Sequence, residues 1–208
     1  MSLQKIKEFN ISKSKLTLIL LNLSGFGVFI LSVPIFSKLA GLIMALHLGA
    51  IPDEVQFTIT GLELLVFLLT MVATLMIHEL IHGLFFKVFA PDRPVKYGFH
   101  WYALSATSPG TKYSKGKFLW IGIAPFVFIT IGLSVLFGLG FLTIPSYIFL
   151  ASMHTAGCIG DFYFCILLLL APRGILIEDT GVGMVFYQET AQDDMRKGRT
   201  AGSLPVFL

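Results

Sequence analysis

The chain has 208 residues, of which 55% are hydrophobic and only 13% are charged, with a mean hydropathy of +0.83. A typical soluble domain is roughly a quarter charged, so the composition argues against an ordinary soluble protein and indicates a multi-pass protein of the cell membrane, with the lipid bilayer as its surroundings. The net charge of +3 is small and the basic residues stand at the ends of apolar segments, which argues against nucleic acid as a partner.

Four apolar segments predict transmembrane helices, each of which needs about 20 mostly apolar residues. They cover residues 16–36, 62–90, 118–142 and 147–171, and residues 38–48 either continue the first span or lie along the interface. The predicted fold class is therefore an all-α membrane protein with about four spans. We expect a single domain over residues 1–208, with a core at 62–171 and a polar C-terminal tail at 172–208.

The basic residues also predict an orientation. Lysine and arginine cluster before the first span, between the second and third spans, and after the fourth, whereas the other two connections are nearly free of them. Because basic loops tend to stay cytoplasmic, both termini are expected on the cytoplasmic side.

The loop between the second and third spans, residues 95–117, carries aromatic and β-branched residues on both sides of Ser108-Pro109-Gly110. This pattern predicts a short β-hairpin. Its edge either holds an extended substrate by strand addition, or its aromatic side chains anchor it at the membrane interface. In the tail, residues 182–187 predict a strand, and Asp179 and Asp193 are expected to be surface charges.

The second span contains a histidine pair, His78 and His82, four residues apart. On a helix both rings lie on one face, one turn apart, which suits two positions around one Zn²⁺ ion. Glu79 lies beside such a metal rather than on it, placed to take a proton from a metal-activated water. Each ionisable group at bilayer depth costs on the order of 3 kcal/mol. A bound dication accounts for all three groups; the alternative is a buried polar cluster or a proton path.

The third metal ligand is expected from another span at the same depth. With the proposed orientation, Asp161 in the fourth span lies within roughly one helical turn of the depth of His78. Asp161 is therefore the predicted third ligand, and its alternative role is a carboxylate that hydrogen-bonds two helices together.

Other polar and small residues lie close to Asp161 in the sequence. His154 either faces the substrate or contacts the metal ligands from outside, or it is a hydrogen-bonding group inside the bundle. Cys158 is either a soft metal ligand or a small hydrophobic residue. Residues small enough to let helices approach closely are Gly83, Ala156, Gly157 and Gly160.

Two sequence features carry a family resemblance: the segment His78-Glu79-Leu80-Ile81-His82 in an apolar span, and Gly160-Asp161 in a later one. They resemble the site-2 protease superfamily, and more closely a group of small bacterial membrane proteins described as putative zincin peptidases. The resemblance implies an intramembrane zinc site with His78, His82 and Asp161 as ligands and Glu79 as general base. The chain departs from the superfamily in having Ile159-Gly160-Asp161-Phe162 where Leu-Asp-Gly is usual, and in lacking the nearby proline.

The sequence thus predicts a zinc metallopeptidase that hydrolyses peptide bonds in membrane-associated polypeptides. The alternatives are a non-catalytic membrane protein that binds or transports a divalent metal, and a structural scaffold with a degenerate enzyme core, against which the presence of Glu79 argues. A transporter is expected to carry ligands along several helices, whereas the candidates here concentrate around one depth.

Overall fold

The computed structural model describes residues 3–11, 14–48, 60–100, 103–181 and 183–189, and this part of the chain is mostly helical. The helices are α1 Lys15–Leu48, α2 Gly61–Phe89, α3 Lys115–Gly138, α4 Ile144–Gly157 and α5 Ile159–Leu170. The strands are β1 Leu3–Asn10, β2 Lys96–His100, β3 Ala103–Thr107, β4 Lys112–Ser114, β5 Leu176–Asp179 and β6 Gly183–Glu189.

Three helices, α1, α2 and α3, are long and apolar enough to cross a membrane, and α4 with α5 forms a fourth candidate span bent by 45°. The first three predicted spans are confirmed as single helices, whereas the fourth, predicted as one span over residues 147–171, consists of two helices; α1 continues without a break through residues 38–48. Cys158 separates α4 from α5, and Gly157 and Gly160 flank it. Glycine weakens a helix because it gains backbone freedom when unfolded, which accounts for a break at this point.

The outer faces of these helices are apolar. Leu46 on α1 is 79% exposed and Leu170 on α5 is 78% exposed, and many further leucine, isoleucine and valine side chains lie open between them. An apolar surface this extensive is unfavourable in water, and it is what a lipid solvent favours.

A four-stranded antiparallel sheet of order β1-β6-β5-β4 corrects the prediction of an all-α fold. It joins the N-terminal strand to strands from the tail, and β6 confirms the strand predicted at residues 182–187. Local patterns did not reveal this sheet because its strands come from distant parts of the chain, and strand formation depends on pairing more than on intrinsic preference.

The hairpin predicted between the second and third spans is confirmed as the antiparallel pair β2 and β3. Its turn is not the predicted one. Residues 101–102, which lie outside the described residues, join β2 to β3, whereas Ser108-Pro109-Gly110 leads from β3 to β4 in the other sheet.

Two clusters of buried apolar side chains hold the fold together. The first packs the sheet against the helix ends and contains Phe86, Tyr113, Phe118, Ile121, Leu168, Ile177 and Phe186. The second lies among α1, α3 and α4 and contains Phe36, Ala40, Ile129, Leu133, Phe137, Tyr147 and Leu150. The polar side chains predicted to form the site are not members of either cluster.

The sheet lies at one end of the helices. Strand β4 leads directly into α3, and the Lys115 ammonium at this junction donates to the carbonyl oxygens of Leu169 and Ala171 at the end of α5. A cation satisfies the free carbonyls of a helix C-terminus. Because β1 pairs with β6, the first and last strands of the described residues belong to the same sheet.

Candidate metal centre

Side chains from two helices converge where α2 passes the start of α5. His78 and His82 lie one turn apart on α2, and Asp161 lies in the first turn of α5. The Nε2 atoms of the two histidines are 3.1 Å apart, and the Asp161 oxygens lie 3.2 Å from His78 Nε2 and 3.4 Å from His82 Nε2. The structure therefore brings the three predicted ligands together around one point.

The spacing and chemistry of these atoms fit zinc. Nitrogen or oxygen ligands about 2.0 Å from a tetrahedral zinc lie about 3.3 Å from each other. The His82 Nδ1 atom is 2.9 Å from the carbonyl oxygen of Ile121, which only accepts, so Nδ1 carries the proton and Nε2 of neutral His82 carries a lone pair. This lone pair faces a carboxylate oxygen of Asp161. Two acceptors at such a distance need a cation between them, a proton or a metal ion.

Glu79, the predicted general base, is held by the hairpin. The backbone N–H of Ala106 on β3 donates to Glu79 Oε2 at 2.7 Å. A hydrogen bond to a carboxylate is stronger than one between neutral groups. It fixes the side chain of Glu79 beside the histidines, in contact with the cavity described below.

Two paired residues of the hairpin, Tyr97 and Ala106, contact α2. Tyr97 on β2 pairs with Ala106 on β3, and the Tyr97 ring packs over Gly83, one helical turn after Glu79. A Cβ atom at Gly83 would overlap the Tyr97 hydroxyl group. Gly83 was expected to allow close packing, and it does so for the hairpin rather than for a second helix.

The other two glycines expected to allow close packing do not. Among the described residues, a Cβ atom at Gly157 or Gly160 would meet no atom within 4 Å outside its own local backbone. Close approach of α1 to α4 occurs at Gly25 instead, where an added Cβ would lie 3.4 Å from the carbonyl oxygen of Ala156. Helical periodicity did not predict which face of the fourth span meets α1.

A cavity of about 130 Å³ opens beside the ligand atoms. The polar residues in its lining include Glu79, His82, Asp161 and Asp179. Its apolar lining includes Phe86, Ala106, Phe118, Ile121, Phe164 and Leu168. A concave apolar space with a few convergent polar groups is the usual form of a binding site for a small group or chain segment.

Asp179 is not the surface charge that the sequence predicted. Its Oδ2 atom is inaccessible to solvent and has no hydrogen-bond partner among the described residues, while Oδ1 accepts from the backbone N–H of Gly181 at 3.2 Å. Burial raises the pKa of the Asp179 carboxyl from 3.8 to about 7, and the nearby negative charge of Glu79 acts in the same direction. Asp193 lies outside the described residues.

The turn between β5 and β6 brings Asp179 to the cavity. Gly181 has a φ of +80°, a conformation that favours glycine. A Cβ atom there would lie 2.8 Å from Thr107 on β3, so the turn packs tightly against the hairpin. No sequence motif marks Asp179, because only the sheet brings this turn to the cavity.

His154 and Cys158 lie on the far side of His78. His154 Nε2 is 3.3 Å from His78 Nδ1, and Cys158 Sγ is 3.6 Å from the same His154 atom. His154 is 5% exposed and Cys158 is fully buried. His154 therefore contacts the predicted ligand His78 from inside the bundle, and its role stays a prediction.

A family model described as "Putative zincin peptidase" matches residues 71–176, just over half of the chain. The matched stretch contains α2 from Met71 onwards, the hairpin, and α3 to α5, and thus His78, Glu79, His82 and Asp161. No curated protein and no solved structure matches the chain significantly.

Proposed function

Because the chain belongs to the putative zincin peptidase family, we propose that it is a zinc metallopeptidase that cleaves peptide bonds at a site within the membrane. The observation that carries the proposal is the convergence of His78, His82 and Asp161 at 3.1–3.4 Å beside Glu79. The three side chains hold zinc, and Glu79 is the base. The wider relationship to site-2 proteases stays a prediction.

Zinc at this position, when bound, supplies a Lewis acid that makes a water more acidic and polarises the scissile carbonyl. Glu79 takes a proton from the attacking water and later delivers it to the leaving amine. The hydrogen bond that the Ala106 N–H donates to Glu79 holds this carboxylate at the cavity throughout the reaction. No covalent bond to the protein forms.

The substrate class follows from the surroundings of the site. The ligands lie on α2 and α5, which are parts of candidate membrane spans with large apolar exposed faces. We propose that substrates are membrane proteins or peptides, whose chains reach the cavity from the bilayer or its surface. Such a segment has to unwind locally, because a helical amide is shielded by its neighbours.

The proposed orientation places both termini and the sheet on the cytoplasmic side. Support comes from the basic residues that flank the spans and from the pairing of β1 with β6, which keeps the two terminal strands at one end of the protein. The open side of the site then faces the cytosol, from which water arrives.

Glu79→Gln tests the proposal. We expect the purified variant to keep zinc, as measured by elemental mass spectrometry, because Glu79 is not a ligand. It should lose hydrolysis, seen as the absence of new peptide N-termini in membranes that contain the variant. Asp92→Asn, in an exposed turn, is the matched acid-to-amide control and should behave as wild type. Equal cleavage by wild type and Glu79→Gln would refute the proposal and favour metal binding or transport instead.

A further inference from the structure

A second set of ligand atoms lies across the His78 ring from the proposed zinc centre. We propose that His78 Nδ1, His154 Nε2 and Cys158 Sγ form a second metal site, which takes a borderline or soft cation such as zinc(II) or cobalt(II). The two nitrogen atoms are 3.3 Å apart, and the sulfur lies 3.6 Å from His154 Nε2 and 3.9 Å from His78 Nδ1. Like the first set, these three atoms lie within 4.8 Å of one another.

The distances agree better with metal coordination than with hydrogen bonding. A tetrahedral zinc with bonds of about 2.0 Å to nitrogen and 2.3 Å to sulfur holds two nitrogens about 3.3 Å apart and a nitrogen and a sulfur about 3.5 Å apart. Hydrogen bonds from ring nitrogen are usually about 2.7–3.2 Å long, so the 3.3 Å contact between the rings lies beyond that range. One tetrahedral ion accounts for the 3.3 Å and 3.6 Å contacts, whereas the 3.9 Å separation of Cys158 Sγ from His78 Nδ1 requires a wider angle at the metal.

The ligand types and their burial indicate a structural rather than a second catalytic ion. Thiolate with imidazole is a donor set for zinc and softer ions. Cys158 is fully buried and His154 is 5% exposed, so the site is closed to substrate. Only three of the four ligands usual for a structural zinc come from described side chains here, so burial is what separates this ion from substrate.

An ion in the second site links two parts of the helical bundle. Cys158 stands at the break between α4 and α5, His154 lies one turn earlier on α4, and His78 lies on α2. A metal bound by all three ties the bent span to α2. It thereby fixes the start of α5, which carries Asp161 to the first site.

Charge balance permits both sites to be filled at once. His78 then presents Nε2 to one ion and Nδ1 to the other, which requires its ring to lose a proton. Cys158 loses a proton as well, so the second dication replaces two protons and leaves the net charge of the cluster unchanged. This matters because an uncompensated charge is costly in a low-dielectric interior.

Cobalt titration of the full-length protein tests the second site without any need for hydrolysis. The protein is purified in detergent, stripped with a chelator, kept reduced with a non-thiol reductant and titrated with cobalt(II). Thiolate bound to cobalt gives an intense near-ultraviolet charge-transfer band, which nitrogen and oxygen ligands do not give. We expect this band in the wild type, together with a second equivalent of bound cobalt.

The two cysteines provide matched variants. Cys158→Ser should lose the band and the second equivalent, and His154→Gln should do the same, which guards against misfolding of one variant. Cys165→Ser, the control, should keep both. His82→Ala combined with Asp161→Asn should remove the first equivalent but keep the band, because only His78 is shared. A wild type without the band at excess cobalt, or a Cys158→Ser protein that retains it, overturns the second site and leaves the peptidase proposal untouched.

Discussion

Pro125 leaves a backbone carbonyl free for His82. A proline has no N–H, so within α3 it cannot donate to the carbonyl of the residue four positions earlier, which is Ile121. The His82 ring donates a hydrogen bond from Nδ1 to that carbonyl oxygen at 2.9 Å, and Pro125 itself is fully buried. The proline in the third span thus selects the His82 tautomer whose Nε2 points at Asp161.

Pro125→Ala should therefore weaken zinc binding. The new alanine N–H competes for the Ile121 carbonyl and draws it into the helix, so the His82 ring loses part of its orientation. Loss of a group that orients a metal ligand typically costs about 10–100-fold in affinity, and we expect a loss at the lower end of this range in competition with a zinc-chelating dye. Pro34→Ala, which removes the proline inside α1, is the control. An affinity equal to that of the control would contradict the role given to Pro125.

Asp161→Asn should reduce zinc affinity by more than about 100-fold, because a direct ligand contributes more than the groups that orient it. Hydrolysis should fall in proportion at limiting zinc and recover in part when excess zinc is added. Zinc titrations of activity measure both effects. A variant that binds zinc as tightly as wild type would show that Asp161 only joins α5 to α2 by hydrogen bonds to the histidines.

Gly83→Ala should impair hydrolysis without removing zinc. The added Cβ displaces the Tyr97 ring, and the shift passes to Ala106, its partner in the hairpin register, whose N–H holds Glu79. A misplacement of about 1 Å at a catalytic group can cost on the order of 100-fold in rate, so we expect a loss of about 10–100-fold in peptide turnover.

Two further variants test whether the effect of Gly83→Ala comes from the contact with the Tyr97 ring. Gly116→Ala adds the same methyl group where a Cβ would meet no atom of the described residues within 4 Å, and it should leave turnover unchanged. Tyr97→Ser removes the obstructing ring, so in combination with Gly83→Ala it should recover part of the lost rate. Lack of any such recovery would mean that the defect does not arise from the hairpin contact.

Asp179→Asn should change how stability depends on pH. In the folded protein burial raises the pKa of this carboxyl from 3.8 to about 7, so the folded state holds the proton more tightly than the unfolded state does. The stabilisation that this proton gives to the folded state is fully present below about pH 4 and is lost as the pH rises through about 7. The melting temperature of the metal-free wild type should therefore fall over this interval, and the fall should be smaller in Asp179→Asn.

Metal-free protein is needed for that measurement because a nearby cation would favour the charged carboxylate. Asp92→Asn, which changes an exposed acid, should melt with the same pH dependence as wild type. If Asp179→Asn also follows the wild-type curve, the carboxyl is hydrated rather than buried.

Much of the helical architecture was predictable from local sequence. Apolar runs of spanning length predict α1 to α3 and the α4–α5 pair because each helix satisfies its own backbone hydrogen bonds and needs only an apolar surface. The four-residue spacing of His78 and His82 likewise places both rings on one face of α2 whatever surrounds them. Equal depth in two spans was enough to indicate Asp161, which the structure places beside both rings.

The remaining features depended on contacts between distant segments. The sheet that joins β1 to β6, the burial of Asp179, the bond from Ala106 to Glu79 and the approach of His154 to His78 have no local signature, since each arises from how separate elements pack. The sequence by itself therefore determined which helices form and which chemical groups they carry. Tertiary structure decided which partners surround those groups, because pairing and packing are set by the whole chain.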